Sequence, residues 1–466
     1  MMGMEIAMQK EFLLTDEQMA QFIGHGYIKI ETPLGKNFHQ KIFDEHKMVF
    51  EKEGNPGNNL LPRMPLVNRI FKEPKVVGAL TSILGDDYYL QPHRHPHHNI
   101  AKSEGQTMHQ DGGKRWSHRT RYLLAFYYPQ DTPLNRGPSG IVPGSHYFNT
   151  PEGAPIDAEL PLVARAGTVT ICDYDLWHRA MPNTSDKNRF MVKFLFARMT
   201  EPEKPTWNNK SREWIEVPPI LPNDTLDCQN MYAHRWYWHC GEYRSPQRLT
   251  KKTATELLNE ITGDNERVAI AAAYEAASHG ENMVDGLIEL LESDSEFIRT
   301  NSAYALSAIG RPSVLPLQNA LFSDQTVKRA DAAAILGDLG IIAKCAGEKL
   351  CKAYQDDEET VRCRSVEALG IIKSDSPNVI PTLMNALKDE KESVRKAAVM
   401  AICRIGTSAS KAIPTLKEAL DDPNRYVRAD ALHALRRINT NEAKDELIDQ
   451  LMPARWCPLT SPESTF

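Results

Sequence analysis

The chain has little of what would staple it from outside or carry it through a bilayer. Eight cysteines are scattered over 466 residues with no CxxC pair. That argues against a disulfide framework and for a reducing compartment where thiols serve as small apolar side chains. Cys228, His234, His239 and Cys240 share one stretch but lack the spacing of a zinc module. The longest unbroken apolar run is Tyr122–Tyr128, too short for a membrane span. The opening MMGMEIAMQK has no apolar signal-peptide core, so a cytoplasmic location is expected. A net charge of −6 gives no general pull toward nucleic acid or anionic lipid, and neither is expected as a partner. Aromatic residues are only 8% of the chain, yet four of the seven Trp fall between Thr200 and Cys240. That stretch is also rich in Pro and reads as an irregular closing strap.

Composition changes near residue 245. Pro, His and aromatic residues are frequent before it; Ala, Leu, Asp and Arg dominate after it. The expected division is a first domain over 1–245, helical repeats over 246–455 and a tail over 456–466. Arg recurs at 299, 329, 362, 395 and 428, and Leu at 287, 317, 350, 383 and 416. An Asp precedes each Arg, at 294, 324, 357, 389 and 422. A period near 33 in two amphipathic stretches is a helical hairpin repeat, whose units must stack to bury their apolar faces. Ankyrin and tetratricopeptide signatures are missing, and the pattern resembles short HEAT repeats. The Arg and Asp columns read as an internal ladder of opposite charges. Such an array implies a protein partner or self-association and contributes no catalytic residue.

The first half reads as α+β. Thr15 with Gln18 forms a capping-box start, and a strand follows over Tyr27–Ile30. Short strands with Gly/Pro turns from Tyr88 onward suit a double-stranded β-helix, the jelly-roll or cupin-like barrel, with helices N-terminal to it.

Within that half, His109-Gln110-Asp111 is followed by His178, and Arg189 lies eleven residues beyond His178. Two His and one carboxylate can fill one face of an Fe(II) octahedron and leave three positions open. An Arg beyond the second His can clamp a carboxylate as a bidentate fork. Each residue alone has a plainer reading as a packed His, a turn Asp or a surface Arg; their order is what carries the assignment. His93, His95 and His97 fall on one face of a strand and are expected to line the pocket mouth or to bond structurally. Lys102, Lys114, Arg115, Arg119 and Arg121 surround the HxD segment. They read either as an attractor of anionic substrate or as a solvated loop.

Four blocks in order, LTDEQMAQFIGHGYIKI (14–30), His109-Gln110-Asp111, GPSGIVPGSH (137–146) and GTVTICDYDLWHRAMPNTSDKNRF (167–190), resemble the phytanoyl-CoA dioxygenase family of Fe(II)/2-oxoglutarate oxygenases. The resemblance implies that His109, Asp111 and His178 ligate iron and that Arg189 anchors 2-oxoglutarate. It offers Gln91 and Tyr127 as secondary cosubstrate contacts. It also implies O₂ as second cosubstrate and hydroxylation of a small organic or acyl substrate with release of succinate and CO₂. A protein hydroxylase recruiting its substrate through the repeats, and a catalytically inactive scaffold, are the alternatives. One departure is Ala180, where the family often has a cosubstrate-binding Ser.

Overall fold

The computed structural model describes residues 10–112, 117–218, 228–244 and 250–455. The capping box forms as the sequence implies: Gln18 N donates to Thr15 Oγ1 and Thr15 N to Gln18 Oε1. The helix Asp16–His25 ends at Gly26, whose φ of 79° is the left-handed conformation a side chain resists. The strands are β1 (Tyr27–Glu31), β2 (Tyr89–Asn99), β3 (Tyr122–Tyr127), β4 (Ser139–Ile141), β5 (Leu160–Pro161), β6 (Thr168–Asp173), β7 (His178–Ala180) and β8 (Arg189–Ala197). They form an antiparallel five-stranded sheet, ordered β1-β6-β3-β8-β2, and a three-stranded sheet, β5-β4-β7.

Strand alternation decides which residues can reach a site. Leu123, Ala125 and Tyr127 of β3, with Val192, Phe194 and Phe196 of β8, pack in the core shared with the helices Asp16–His25, Lys36–Glu53 and Pro74–Leu84. Leu124, Phe126 and Tyr128, with Met191 and Leu195, pack with residues of the smaller sheet. Because side chains alternate between faces, Arg189 and Lys193 share the second face, inside the roll.

The Trp-rich stretch is more ordered than a strap. Gln229–His239 is a helix whose Trp236 and Trp238 are buried. Trp207 and Trp214 stand edge-on to Trp236. Buried Asp16 accepts from Trp207 Nε1 at 2.6 Å, Asn209 Nδ2 at 2.9 Å and the backbone N–H groups of Lys210 and Ser211. Arg235 of the same helix forms a fully buried ion pair with Asp173 at the end of β6.

The chain packs as two compact units. One is Met1–Met283 with Thr300–Ala308; the other is Val284–Arg299 with Ile309–Phe466. The compositional change near residue 245 therefore precedes the packing division, because the helices Ala254–Ile261 and Glu266–Glu275 belong to the first unit. The second unit carries the regular repeats: short helices such as Val314–Ala320 alternate with longer ones such as Thr326–Leu339.

The Arg column there joins successive repeats. Arg329, Arg362 and Arg395 bond Asp356, Asp389 and Asp422 of the following repeat at 2.7, 2.9 and 2.7 Å. Each also donates to two backbone carbonyls of its own repeat. Asp324 and Asp357 enter through those carbonyls, so Asp356 rather than Asp357 is the rung. Opposite charges are consumed pairwise, which removes the field a nucleic-acid ridge would need. Among the described residues no helix is long and apolar enough to cross a membrane.

His46, on the helix Lys36–Glu53, stacks on Phe190 at 5.0 Å and has no partner for either ring nitrogen. Burial, with His98 nearby, pushes its pKa down to about 3. The unfolded ring takes a proton near 6.5 while the folded ring resists it. This ring therefore costs no stability above that pH, and a growing amount as pH falls toward 3, up to about 1.4 kcal/mol per unit. His46→Phe, which keeps the ring stack, should show a shallower fall in melting temperature between pH 6.5 and 4 than the wild type. An equal slope would mean His46 is not the group that resists protonation.

Candidate metal and cosubstrate site

Two chain segments form the site, and backbone pairing brings them together. His109 and His178 face each other in an antiparallel bridge, with N–H to carbonyl distances of 3.0 and 2.9 Å. Each imidazole is then turned by its own chain. His109 Nδ1 lies 2.9 Å from the Thr107 carbonyl and His178 Nδ1 2.8 Å from the Leu176 carbonyl. A carbonyl only accepts, so both Nδ1 atoms carry the proton and both Nε2 lone pairs are free to bind. Each Nε2 stands 3.8 Å from an Asp111 oxygen. All three ligand atoms lie within 4.8 Å of one another, the one such His/Cys/Asp/Glu group among the described residues. Metal bonds of about 2.1 Å at right angles would put ligand atoms roughly 3 Å apart. The residues therefore fit a divalent ion after a contraction of roughly one to two ångströms.

Protonation is set for binding. Burial pushes the His178 pKa down to about 4, with Asp111 opposing. Burial works against ionisation of Asp111, but Lys193 and His178 outweigh it and hold the carboxyl below its ordinary value.

Arg189 is 1% exposed. Its Nε donates to the Gly137 carbonyl at 2.9 Å, and its Nη2 is buried with no partner. An orphaned buried guanidinium nitrogen is what an incoming carboxylate would satisfy. The third motif block, GPSGIVPGSH, serves this residue. Gly137 has φ 63°, and a Cβ on it would come within 2.5 Å of Asn99 Nδ2, so only glycine lets this carbonyl reach Arg189. Ser139 Oγ accepts from Tyr128, whose ring is buried inside the roll.

Other expected residues fall elsewhere. Tyr127 is on the opposite face of β3, its hydroxyl 2.9 Å from His39 Nδ1 in the helix-packed core; it is not brought to the triad. Gln91 sits at the register break of β2, where its carbonyl accepts from Arg94, and its contacts do not connect it to the triad. His97 is half-buried with its Nε2 unpartnered; it stands opposite Met191 in the β2–β8 register, on the face that carries Arg189 and Lys193, and burial with those two cations pushes its pKa down to about 3. His98 faces away, stacked on Phe190. Within the basic stretch, Lys102 pairs with Asp186, Arg121 grips Glu201 with two bonds, and Arg119 lies over the rings of Trp238 and Tyr243. Lys114 and Arg115 lie outside the described residues. Cys228, His234, His239 and Cys240 form no metal group among the described residues.

Lys193 is the residue sequence reasoning missed. It is nearly buried, and its Nζ lies 2.5 Å from Asp111 Oδ2. Its position four residues past Arg189 on one strand was the available signal. Without a metal, Lys193 is the cation that balances Asp111; a divalent ion must share that oxygen with it. Lys193→Met should lower the melting temperature of the metal-free chain and enlarge the upward shift on adding Ni(II) or Co(II). An unchanged shift would show that Lys193 and the metal do not compete.

Residues 36–191 match the model of phytanoyl-CoA dioxygenase (PhyH), and residues 316–402, 347–436 and 380–454 match HEAT repeats. No curated protein matches the sequence. Similar solved structures include the epimerase SnoN from nogalamycin biosynthesis, 18% identical over 40% of this chain and 83% of that one, TM-score 0.34. EctD from S. alaskensis is 16% identical over 45% and 89%, TM-score 0.36. HygX from Streptomyces hygroscopicus, solved with nickel and 2-oxoglutarate bound, is 17% identical over 40% and 86%, TM-score 0.33. With the family match laid over the converging triad, the chain carries a phytanoyl-CoA dioxygenase domain at residues 36–191, followed by HEAT repeats over 316–454.

Proposed function

We propose that the protein is an Fe(II)- and 2-oxoglutarate-dependent dioxygenase that hydroxylates an unactivated C–H bond of a small organic or acyl substrate. The observation that carries this is the pairing of two Nε2 lone pairs and a carboxylate with a buried Arg189 whose Nη2 has no partner. When bound, the iron would supply the activation of O₂, the oxidant that takes 2-oxoglutarate to succinate and CO₂ and leaves one oxygen atom for the substrate. His109, Asp111 and His178 would hold it on one face and leave the other open.

The chain's residues do the rest. Arg189 would hold the distal carboxylate, and the Gly137 carbonyl keeps its guanidinium in place. Phe126, whose ring centroid is 5.6 Å from that of His178, and the buried Met191 and Leu195 keep water from this end of the roll. Ala180 offers no hydroxyl to the cosubstrate. Its backbone N–H donates to Gln106 Oε1 at 3.3 Å, so the position is spent on pairing the segment before His109. The HEAT repeats give a surface for a protein partner, a large substrate or a second copy of the chain.

Uncoupled succinate release from 2-oxoglutarate, Fe(II) and O₂ tests the reading without a known substrate. Removing the charge partner of a buried carboxylate costs about 3–5 kcal/mol. Arg189→Ala should therefore raise the apparent constant for 2-oxoglutarate by roughly two orders of magnitude or more. Wild-type protein that binds iron but releases no succinate above an Asp111→Ala control would contradict the proposal. An unchanged constant in Arg189→Ala would assign the anchor to another residue.

A further inference from the structure

We infer that the first helical hairpin of the repeat region is a positioning element of the metal site, and that Glu266 is its positioning residue. This rests on the triad's reading as a metal site. The link is the loop after β4. Tyr147, Asn149 and Thr150 of that loop are tied to the hairpin formed by the helices Ala254–Ile261 and Glu266–Glu275, and Asn149 also to Tyr304 of the helix Glu296–Ile309. Buried Glu266 accepts from Asn149 N at 2.7 Å, Thr150 N at 3.1 Å and Thr150 Oγ1 at 2.6 Å. Asn149 Nδ2 donates to Tyr304 Oη at 3.1 Å. His118 Nε2 donates to the Tyr147 carbonyl, so its Nδ1 accepts from Tyr274 Oη at 2.8 Å. The fit leaves no slack: a Cβ on Gly153 would fall 2.1 Å from Glu266 Oε2. Glu266, Tyr274 and Tyr304 belong to the same compact unit as the triad.

Phe148, between the tethered residues, works in the other direction. Its carbonyl accepts from Gln110 Nε2 and from Trp177 Nε1, both at 3.0 Å. Gln110 lies between the ligands His109 and Asp111, and Trp177 immediately precedes the ligand His178. Gln110 Nε2 also reaches the Asp175 carbonyl at 2.6 Å. One carbonyl thus clamps both ligand-bearing segments, and Glu266 holds the loop that carries it. Groups bonded directly to a ligand typically shift metal affinity by about 10–100-fold; Glu266 acts through the loop and the chain neighbours of the ligands, so its effect falls at or below the lower end of that range.

The experiment is Co(II) titration of the full chain by calorimetry, with melting temperature measured in parallel. Glu266→Ala should fold and bind Co(II) more weakly than wild type, by up to about ten-fold. Glu266→Gln, which keeps an acceptor, should fall between the two. Asp16→Asn weakens the bonds to the Trp207 segment, at the far end of its helix from Ile23, whose carbonyl accepts from Tyr147 Oη. It should lower the melting temperature and leave Co(II) affinity unchanged, separating positioning from general stability. If Glu266→Ala does not fold, Thr150→Val and Tyr304→Phe each remove one tether and should give smaller losses of the same sign. Wild-type affinity in folded Glu266→Ala, or in both substitute variants, overturns the inference, as does an equal loss in Asp16→Asn. Wild-type protein that binds no Co(II) overturns the reading of the triad itself, and this inference with it.

Discussion

The antiparallel bridge between His109 and His178 is the constraint on which the site depends. Its two backbone hydrogen bonds fix the separation of two segments far apart in sequence. The Thr107 and Leu176 carbonyls then set each ring's tautomer and rotation. Strand register admits no intermediate adjustment: a slip of one residue would turn one imidazole to the opposite face. β6, β3 and β8, buried on both faces, supply the stiffness behind that register.

How much was legible in the sequence varied with the kind of signal. The triad and Arg189 could be read because their residue types are rare in combination and their order is specific. The repeat register could be read because several columns keep one period. Tyr127 could not be told from Tyr128. β3 is apolar on both faces, so alternation gives no contrast to say which tyrosine points into the roll. The Asp356-Asp357 doublet hid the true rung for a similar reason, since either residue fits the column. Lys193 was accessible by strand parity with Arg189. Glu266 was not, because it lies ahead of the regular repeat columns and its partners are backbone N–H groups and a hydroxyl over a hundred residues away.

The structure also blurs the line between catalytic and accessory halves. Helices that composition assigns to the repeats pack with the oxygenase unit, and their side chains fill hydrogen-bonding needs of a loop beside the triad. Binding chemistry and mechanical support are thus drawn from different parts of the chain. The two histidines of the triad face each other across a backbone bridge, and the carbonyl that clamps their neighbours sits on a loop held from outside the barrel.

The central claim is that one site binds a divalent iron and 2-oxoglutarate together, through His109, Asp111, His178 and Arg189. Anaerobic titration of the Fe(II)-loaded chain with 2-oxoglutarate tests it most directly, because chelation of Fe(II) by the 2-keto acid produces a visible charge-transfer absorption. The account predicts a saturable band in the wild type, none in Asp111→Ala, and one needing far more 2-oxoglutarate in Arg189→Ala. A band of wild-type strength in Asp111→Ala, or none in a wild-type chain shown to hold Fe(II), would contradict it.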